Sequence, residues 1–233
     1  MKGKRQNIIL KILFLLTLFV LSACATSKTA RYSELKQSDL PSSAYAVASW
    51  YGKDFHGKPT SSGEIFNMYS NSCAHKEYPF GTRLKVTHTI NNKSAICIVN
   101  DRGPFISGRD IDLSYAVAKD IGVIGPGVSN VFLEVEGRDE SYVRKVKVQS
   151  VERTGPFAIQ IGSFAEGVNA VRLKAGLDLK YNNVYIQEAE LKGAKYFRVR
   201  IGNYDDFNSA LKIAEELGQE GYQSVILKAE VKI

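Results

Sequence analysis

The 233-residue chain is short of several things, and each shortage excludes a class of protein. Three cysteines are too few for a disulfide-dense secreted scaffold. Six prolines among 44% hydrophobic residues exclude a collagen-like or disordered chain. Only three histidines are present, and Cys73-x-His75 stands without the second ligand pair of a zinc site, so no metal and no cofactor is implied. Acidic residues are missing from the first 23 positions, which hold Lys2, Lys4, Arg5 and Lys11. That segment carries four of the seven net positive charges. The remainder is only mildly basic, and a nucleic-acid partner loses its basis.

Long apolar runs are also lacking, with one exception at the start. Ile8 to Leu21 is apolar apart from Lys11 and Thr17, and it is shorter than the ~20 residues needed to cross a bilayer. A basic cluster followed by such a run is the layout of a secretory leader, assigned to residues 1–23. Leu21-Ser22-Ala23-Cys24 then looks like a bacterial lipobox. In that reading Cys24 becomes the acylated N-terminus, and several acyl chains anchor the protein stably to a membrane. Cleavage near Ala23 by an ordinary signal peptidase, or a single membrane anchor, are the alternatives. Ala25, where Asp would retain a lipoprotein at the inner membrane, directs the expectation to the outer membrane, facing the periplasm. Residues 24–43 are rich in Ser, Lys, Thr and Ala and read as a tether.

With Cys24 acylated, Cys73 and Cys97 remain as an even pair in an oxidising compartment, which favours a disulfide. Two buried free thiols are the other reading, because alternation puts Cys97 on the same face as Val99.

Residues 44–137 hold short β-rich runs between Gly, Asn and Pro turns: Tyr45 to Tyr51, Arg83 to Thr89, Ser94 to Asn100 and Val131 to Glu136. One helix is expected after Ser114, stopping at Gly122. Many short strands with little helix predict a small barrel. Residues 138–154 read as a charged linker, in which Val146 and Val148 alternate as a short strand would. Residues 155–233 contain an internal repeat. Ile161-Gly-Ser-Phe164 returns 40 positions later as Ile201-Gly-Asn-Tyr204. Ala210, Ile213, Ala214 and Leu217 have helical spacing. The expected unit is βαββαβ, an antiparallel sheet with both helices on one face. The fold class is thus mainly β followed by α+β.

The repeat resembles the SPOR domain, a bacterial septal peptidoglycan-binding module, through Ile159-Gln-Ile-Gly-Ser-Phe164 and Tyr196-Phe-Arg-Val-Arg-Ile-Gly202. Alternation turns Phe197, Val199 and Ile201 to the helices and leaves Gln160, Tyr196, Arg198 and Arg200 on the open face. The resemblance implies that this face binds glycan strands lacking stem peptides; alternation alone reads as a solvated surface.

The first domain resembles the RlpA family (rare lipoprotein A), which has a double-psi β-barrel. The matching runs are Ala48-Ser-Trp-Tyr-Gly52, Phe55-His-Gly57, Thr60-Ser-Ser-Gly-Glu64, Ala74-His75, Pro79-Phe-Gly-Thr82, Asn100-Asp-Arg-Gly-Pro-Phe105 and Arg109-Asp-Ile-Asp-Leu-Ser114. The resemblance implies an endolytic lytic transglycosylase cutting the β-1,4 bond between N-acetylmuramic acid and N-acetylglucosamine with 1,6-anhydro ends. It assigns Asp101 as acid/base, Glu64 as second carboxylate and His75 as a positioning group. Asp112 is expected to cap or stabilise the helix start and is held in reserve as a catalytic carboxylate. Arg102 is expected to hold a carboxylate or to order its loop. Trp50 and Tyr51 suit either sugar stacking or the barrel core. Cys73 departs from the usual Ala of the family. A non-catalytic septal peptidoglycan-binding lipoprotein and an expansin-like loosening module are the competing functions.

Overall fold

The computed structural model describes residues 40–149 and 154–229. The leader, Cys24 and the tether up to residue 39 lie outside the described residues.

Six strands close a barrel: β1 (Ser43–Trp50), β2 (Ser72–His75), β3 (Thr82–His88), β4 (Ser94–Asp101), β5 (Ile111–Leu113) and β6 (Val128–Arg138). Their order around it is β1-β5-β2-β4-β3-β6. The β1·β5 and β2·β4 pairs are parallel and the other four antiparallel. Closure removes exposed edges. Period-two alternation fills the interior, as β3 shows: Thr82, Leu84, Val86 and His88 are buried, while Arg83, Lys85 and Thr87 are more open. Leu84, Val86, Cys97, Val99, Ile111, Leu113 and Leu133 pack together inside. Strands β2 and β5 are too short for alternation to announce them in the sequence.

The one helix of the barrel, α1 (Tyr115–Ile121), starts where Ser114 Oγ accepts the amide N–H of Val117 at 3.3 Å and ends at Gly122. The last tether positions already belong to the barrel. Ser43 opens β1, and the Tyr78 hydroxyl donates to the Pro41 carbonyl at 2.7 Å.

The segment expected as a linker carries structure. After β6 comes a 3-10 turn, Glu140–Tyr142, and then β7 (Lys147–Val148). The Val146/Val148 alternation corresponds to β7, which pairs in parallel with the last strand of the second sheet. That sheet contains β8 (Phe157–Phe164), β9 (Val184–Leu191), β10 (Ala194–Tyr204) and β11 (Val225–Lys228), in the order β7-β11-β8-β10-β9. Helices α2 (Gly167–Asp178) and α3 (Phe207–Glu220) complete two βαβ copies. Ala170, Leu173 and Leu177 of α2 and Ala210, Ala214 and Leu217 of α3 are buried, as are Val199 and Ile201 of the sheet. Asp206 caps α3 by accepting the amides of Asn208 and Ser209.

The two folded regions meet. Phe80 N donates to Glu220 O at 3.0 Å, Arg138 Nη2 to Gln219 O at 2.5 Å and Arg144 N to Gly218 O at 2.9 Å. The Phe80 and Tyr222 rings stand edge to face, 4.9 Å between centroids.

Cys73 of β2 and Cys97 of β4 are joined by a disulfide inside the barrel, with Cα atoms 5.8 Å apart. Both are fully buried. The bridge closes a loop with a sequence separation of 24, a constraint worth roughly 3 to 4 kcal/mol in the chain-entropy description. A Cys73→Ala/Cys97→Ala protein is expected to unfold at clearly lower urea with that loss of stability. Equal midpoints for the variant and the oxidised parent would show that the bridge does not stabilise the barrel.

Candidate active site

One register shift organises the barrel mouth. Along the β2·β4 pair Ser72 faces Ile98 and Cys73 faces Val99, but Ala74 faces Asp101. Asn100 is the extra residue of a bulge, a device that re-aims side chains at a strand end. Strict alternation would send Asn100 and Asp101 to opposite faces. Here both reach the same turn. Asn100 Nδ2 donates to Glu64 Oε2 at 2.8 Å, and Asp101 Oδ1 accepts the Ser61 amide at 2.8 Å. The turn is fixed in return, because Ser62 N donates to Asn100 O at 3.2 Å, and Gly63 N to Thr60 O at 3.0 Å. Asp101 and Glu64 are therefore brought to one locus from positions 37 apart in sequence.

Asp101 Oδ1 also accepts the amide of Arg102 at 2.8 Å. Burial nevertheless raises its pKa above the ordinary carboxylate value. The Ser61 hydroxyl and amide, the Arg102 amide and the cation of Arg172 all oppose that rise. Burial wins because removing a carboxylate from water penalises its charged form more than these donors return. The Tyr142 hydroxyl lies near Glu64, and its pKa is raised by burial and then by Glu64.

His75 ends β2, one residue beyond Ala74. Its Nδ1 accepts the amides of Glu77 at 3.1 Å and Tyr78 at 3.2 Å, so the ring proton resides on Nε2. Burial, and after it the Arg102 cation, lowers its pKa to about 3. His75 is thus a neutral hydrogen-bond donor near neutrality, which suits positioning and not acid catalysis.

Ala74 pairs with Asp101 on one side and Asp112 on the other, so the two carboxylates flank β2. Asp112 does not cap the helix; Ser114 does. Asp112 lies in β5, where its Oδ1 accepts the Ser49 hydroxyl and Arg109 Nη2 is 3.9 Å from its Oδ2. Tyr51 reaches the same rim. Its hydroxyl pKa is raised well above the ordinary value, first by burial and then by Asp101 and Asp112. It packs on Phe66, with centroids 4.3 Å apart, and Trp50 stands edge-on to Tyr115.

Arg102 holds no carboxylate. It is 5% exposed, and it donates to Tyr222 Oη at 2.5 Å, Tyr78 O at 3.0 Å and His75 O at 3.4 Å. Its guanidinium lies 3.8 Å from the Phe80 ring centroid.

On the second sheet the expectation of an open face needs correcting at Arg200, which is 2% exposed. Its Nε donates to Gln160 Oε1 at 3.3 Å and its Nη1 to Gln187 Oε1. Two amide oxygens from the flanking strands satisfy the cation within the sheet face. Arg198 and Tyr196 are half-buried beside it, opposite Gln187 and Ala189.

Asn100, Ser61 and Tyr142 were not anticipated as site residues. Asn100 carries no signal without the bulge, and Tyr142 sits in the segment expected as a linker.

A six-stranded barrel with carboxylates at its mouth, followed by a βαββαβ repeat, defines a two-domain β and α+β class of protein. The family described as lytic transglycolase, a double-psi barrel, matches residues 43–133, and the SPOR domain matches residues 154–228. The endolytic peptidoglycan transglycosylase RlpA of Vibrio cholerae is 38% identical over 183 residues, covering 78% of this chain and 67% of its own. The Helicobacter pylori (strain J99) protein of the same name is 38% identical over 170 residues, covering 65% of this chain and 54% of its own. The solved SPOR domain of Pseudomonas aeruginosa RlpA aligns with 31% of this chain and 99% of its own at 24% identity, with a TM-score of 0.27. The chain belongs to the RlpA family.

The His75 environment has a measurable consequence. Between pH 6.5 and about 3 the unfolded chain protonates this residue while the folded protein does not. His75 therefore costs stability as pH falls through that window. Nitrogen NMR of labelled histidine is expected to show His75 as the neutral Nε2–H tautomer throughout pH 5 to 8. A titration midpoint inside that range would refute the assignment.

Proposed function

We propose that the protein is an endolytic peptidoglycan lytic transglycosylase acting on peptide-free glycan strands. The observation that carries the reading is Asp101, a buried carboxyl with a raised pKa, pinned by the bulge beside the Glu64 turn. A group that retains its proton nearer neutrality serves as a general acid.

Asp101 protonates the glycosidic oxygen as the bond to the muramic anomeric carbon breaks. The C6 hydroxyl of the same sugar attacks that carbon, and its proton passes to the Asp101 carboxylate. One carboxyl therefore suffices for both transfers, unlike hydrolysis, where a second must activate water or act as nucleophile. No water is consumed, and the acid is regenerated. Glu64 accepts from Asn100, with the Tyr142 hydroxyl nearby, an arrangement suited to a carboxylate facing oxocarbenium-like charge. His75 presents Nε2–H to a substrate hydroxyl or carboxylate. No cofactor is required by this chemistry.

The SPOR domain supports peptidoglycan binding and a place in the cell envelope. Within this reading the face bearing Gln160, Tyr196, Arg198 and Arg200 contacts strands lacking stem peptides. Acylated Cys24 tethers the protein to the outer membrane with the barrel facing the periplasm, at the septum.

Asp101→Asn is expected to lower the formation of anhydro ends from denuded glycan, followed by mass spectrometry, by ~10²-fold or more. Glu64→Gln is expected to lower it with the fold intact. Wild-type turnover in folded Asp101→Asn would remove Asp101 from the chemistry. For binding, Tyr196→Ala/Arg198→Ala is expected to reduce co-sedimentation with denuded sacculi while anhydro-end formation from soluble strands persists. Undiminished co-sedimentation would return the face to an ordinary solvated surface.

A further inference from the structure

A cleft of about 450 Å³ runs between the Thr60–Gly63 turn of the barrel and the region of β8 and α2 in the second domain. That volume lies in the range of small-molecule sites. A smaller space of about 10 Å³, lined by Ser61, Asp101, Phe164, Asn169 and Arg172, adjoins it. Ser61, Phe164 and Asn169 line both. The larger cleft therefore leads to the proposed acid.

We infer that the second domain supplies a wall of the active site, and that this cleft holds the glycan strand beside the bond being cut, oriented by Asn169 and Arg172. The inference rests on the transglycosylase reading above and adds a second-domain subsite to it.

Asn169 carries the argument. It is 7% exposed, yet its side-chain amide makes no hydrogen bond to another described residue. Asn169 lines the cleft, so its amide is free to pair with a ligand's polar groups in place of water. The internal repeat provides a control. The residue 40 positions on is Ser209, which is exposed and bonded to the Asp206 cap. The fold of the repeat thus does not demand a largely buried amide side chain here. The helix starts differ as well: α3 is capped by Asp206, whereas Glu166 gives α2 no side-chain cap. In the first copy the helix start at Glu166 lines the cleft. An amide pairs with sugar hydroxyls and acetamides, and Phe164 offers a ring to the apolar face of a pyranose. Peptide-free glycan matches this lining.

Arg172 lies three residues further along the same helix. Its guanidinium sits 4.5 Å from the Phe55 ring centroid, against the barrel. Its charge acts on Asp101, opposing the effect of burial. The other groups acting on Asp101 are the Ser61 hydroxyl, the Tyr51 hydroxyl from the end of β1, and the Tyr222 hydroxyl after α3, with Arg102 next in sequence. Among these Arg172 is the cation contributed by the second domain, and it is a positioning residue.

The test uses the full chain and denuded strands. Asn169→Ala is expected to lower kcat/KM roughly tenfold, mainly through KM, the loss of one well-placed hydrogen bond. If that variant does not fold, exposed Gln223 on the same cleft carries the test as Gln223→Ala, with a loss in the same direction. Arg172→Gln is expected to move the limb of the pH–rate profile that belongs to Asp101 to higher pH, because the cation that favoured the carboxylate is gone. A second readout needs no turnover. Titrating labelled protein with a purified peptide-free tetrasaccharide is expected to shift the Asn169 side-chain amide resonance. Unchanged kinetics, pH profile and resonance would overturn the inference while leaving the Asp101 result standing. Faster cleavage by Asn169→Ala or Arg172→Gln would also overturn it, marking α2 as a lid. A wild type that forms no anhydro ends would sink the transglycosylase reading, and the resonance shift would still decide whether the cleft takes glycan.

Discussion

Buried charge governs this protein, and Arg102 is where it is concentrated. A guanidinium removed from water must be surrounded by acceptors or it costs several kcal/mol. Here the acceptors are the Tyr222 hydroxyl and the carbonyls of Tyr78 and His75, with the Phe80 ring against its face. Each partner belongs to something the active site needs. The His75 carbonyl fixes the end of β2, and Tyr78 fixes the turn whose amides hold the His75 ring. Tyr222 comes from the second domain. One cation therefore orders the histidine, adds to the burial that keeps it neutral, and joins the two folded regions.

The same burial has opposite results for the two titrating groups beside it. For Asp101 the charged form is the anion, so desolvation raises its pKa and retains a proton. For His75 the charged form is the cation, so desolvation lowers its pKa, and Arg102 adds to that. A carboxyl with a raised pKa and a neutral imidazole thus come from adjoining strands of the barrel. Separated pKa values of this kind divide acid and positioning roles between neighbours. The bulge at Asn100 is the local geometric cause, because it lets consecutive residues of β4 address the one turn that carries Glu64.

Much of the architecture was legible in the sequence because it repeats or alternates. The 40-residue offset revealed the βαββαβ unit, and Ser114 and Gly122 bracket the barrel helix as expected. The longer strands followed from period-two patterns. The short β2 and β5 did not, having too few residues to show a period, although they place His75 and Asp112. Alternation also failed at the functional points. It cannot foresee the Asn100 bulge, which is a tertiary adjustment to β2. It placed Arg200 correctly on the face opposite Val199 and Ile201. It could not show that Gln160 and Gln187 would enclose that cation. Tyr142 was hidden because composition marked its segment as a linker, while packing brings its hydroxyl near Glu64.

The junction between the domains shows why such contacts escape a reading of either domain alone. Gly81 has φ +87°, and a Cβ there would lie 2.5 Å from the Asp139 carbonyl and against the Tyr142 ring. Gly221 has φ +97°, and a Cβ there would lie 2.8 Å from Phe80 Cβ. Each glycine serves its own element, one in the turn before β3 and the other ending α3 with a left-handed residue. Each also lets another chain segment approach more closely than a side chain would permit. The approach at Gly221 brings Tyr222 to Arg102, and the one at Gly81 lets Tyr142 pack where it reaches Glu64. Two residues without side chains thus let the second domain and the segment after β6 pack against the strands and turns that carry His75 and Glu64.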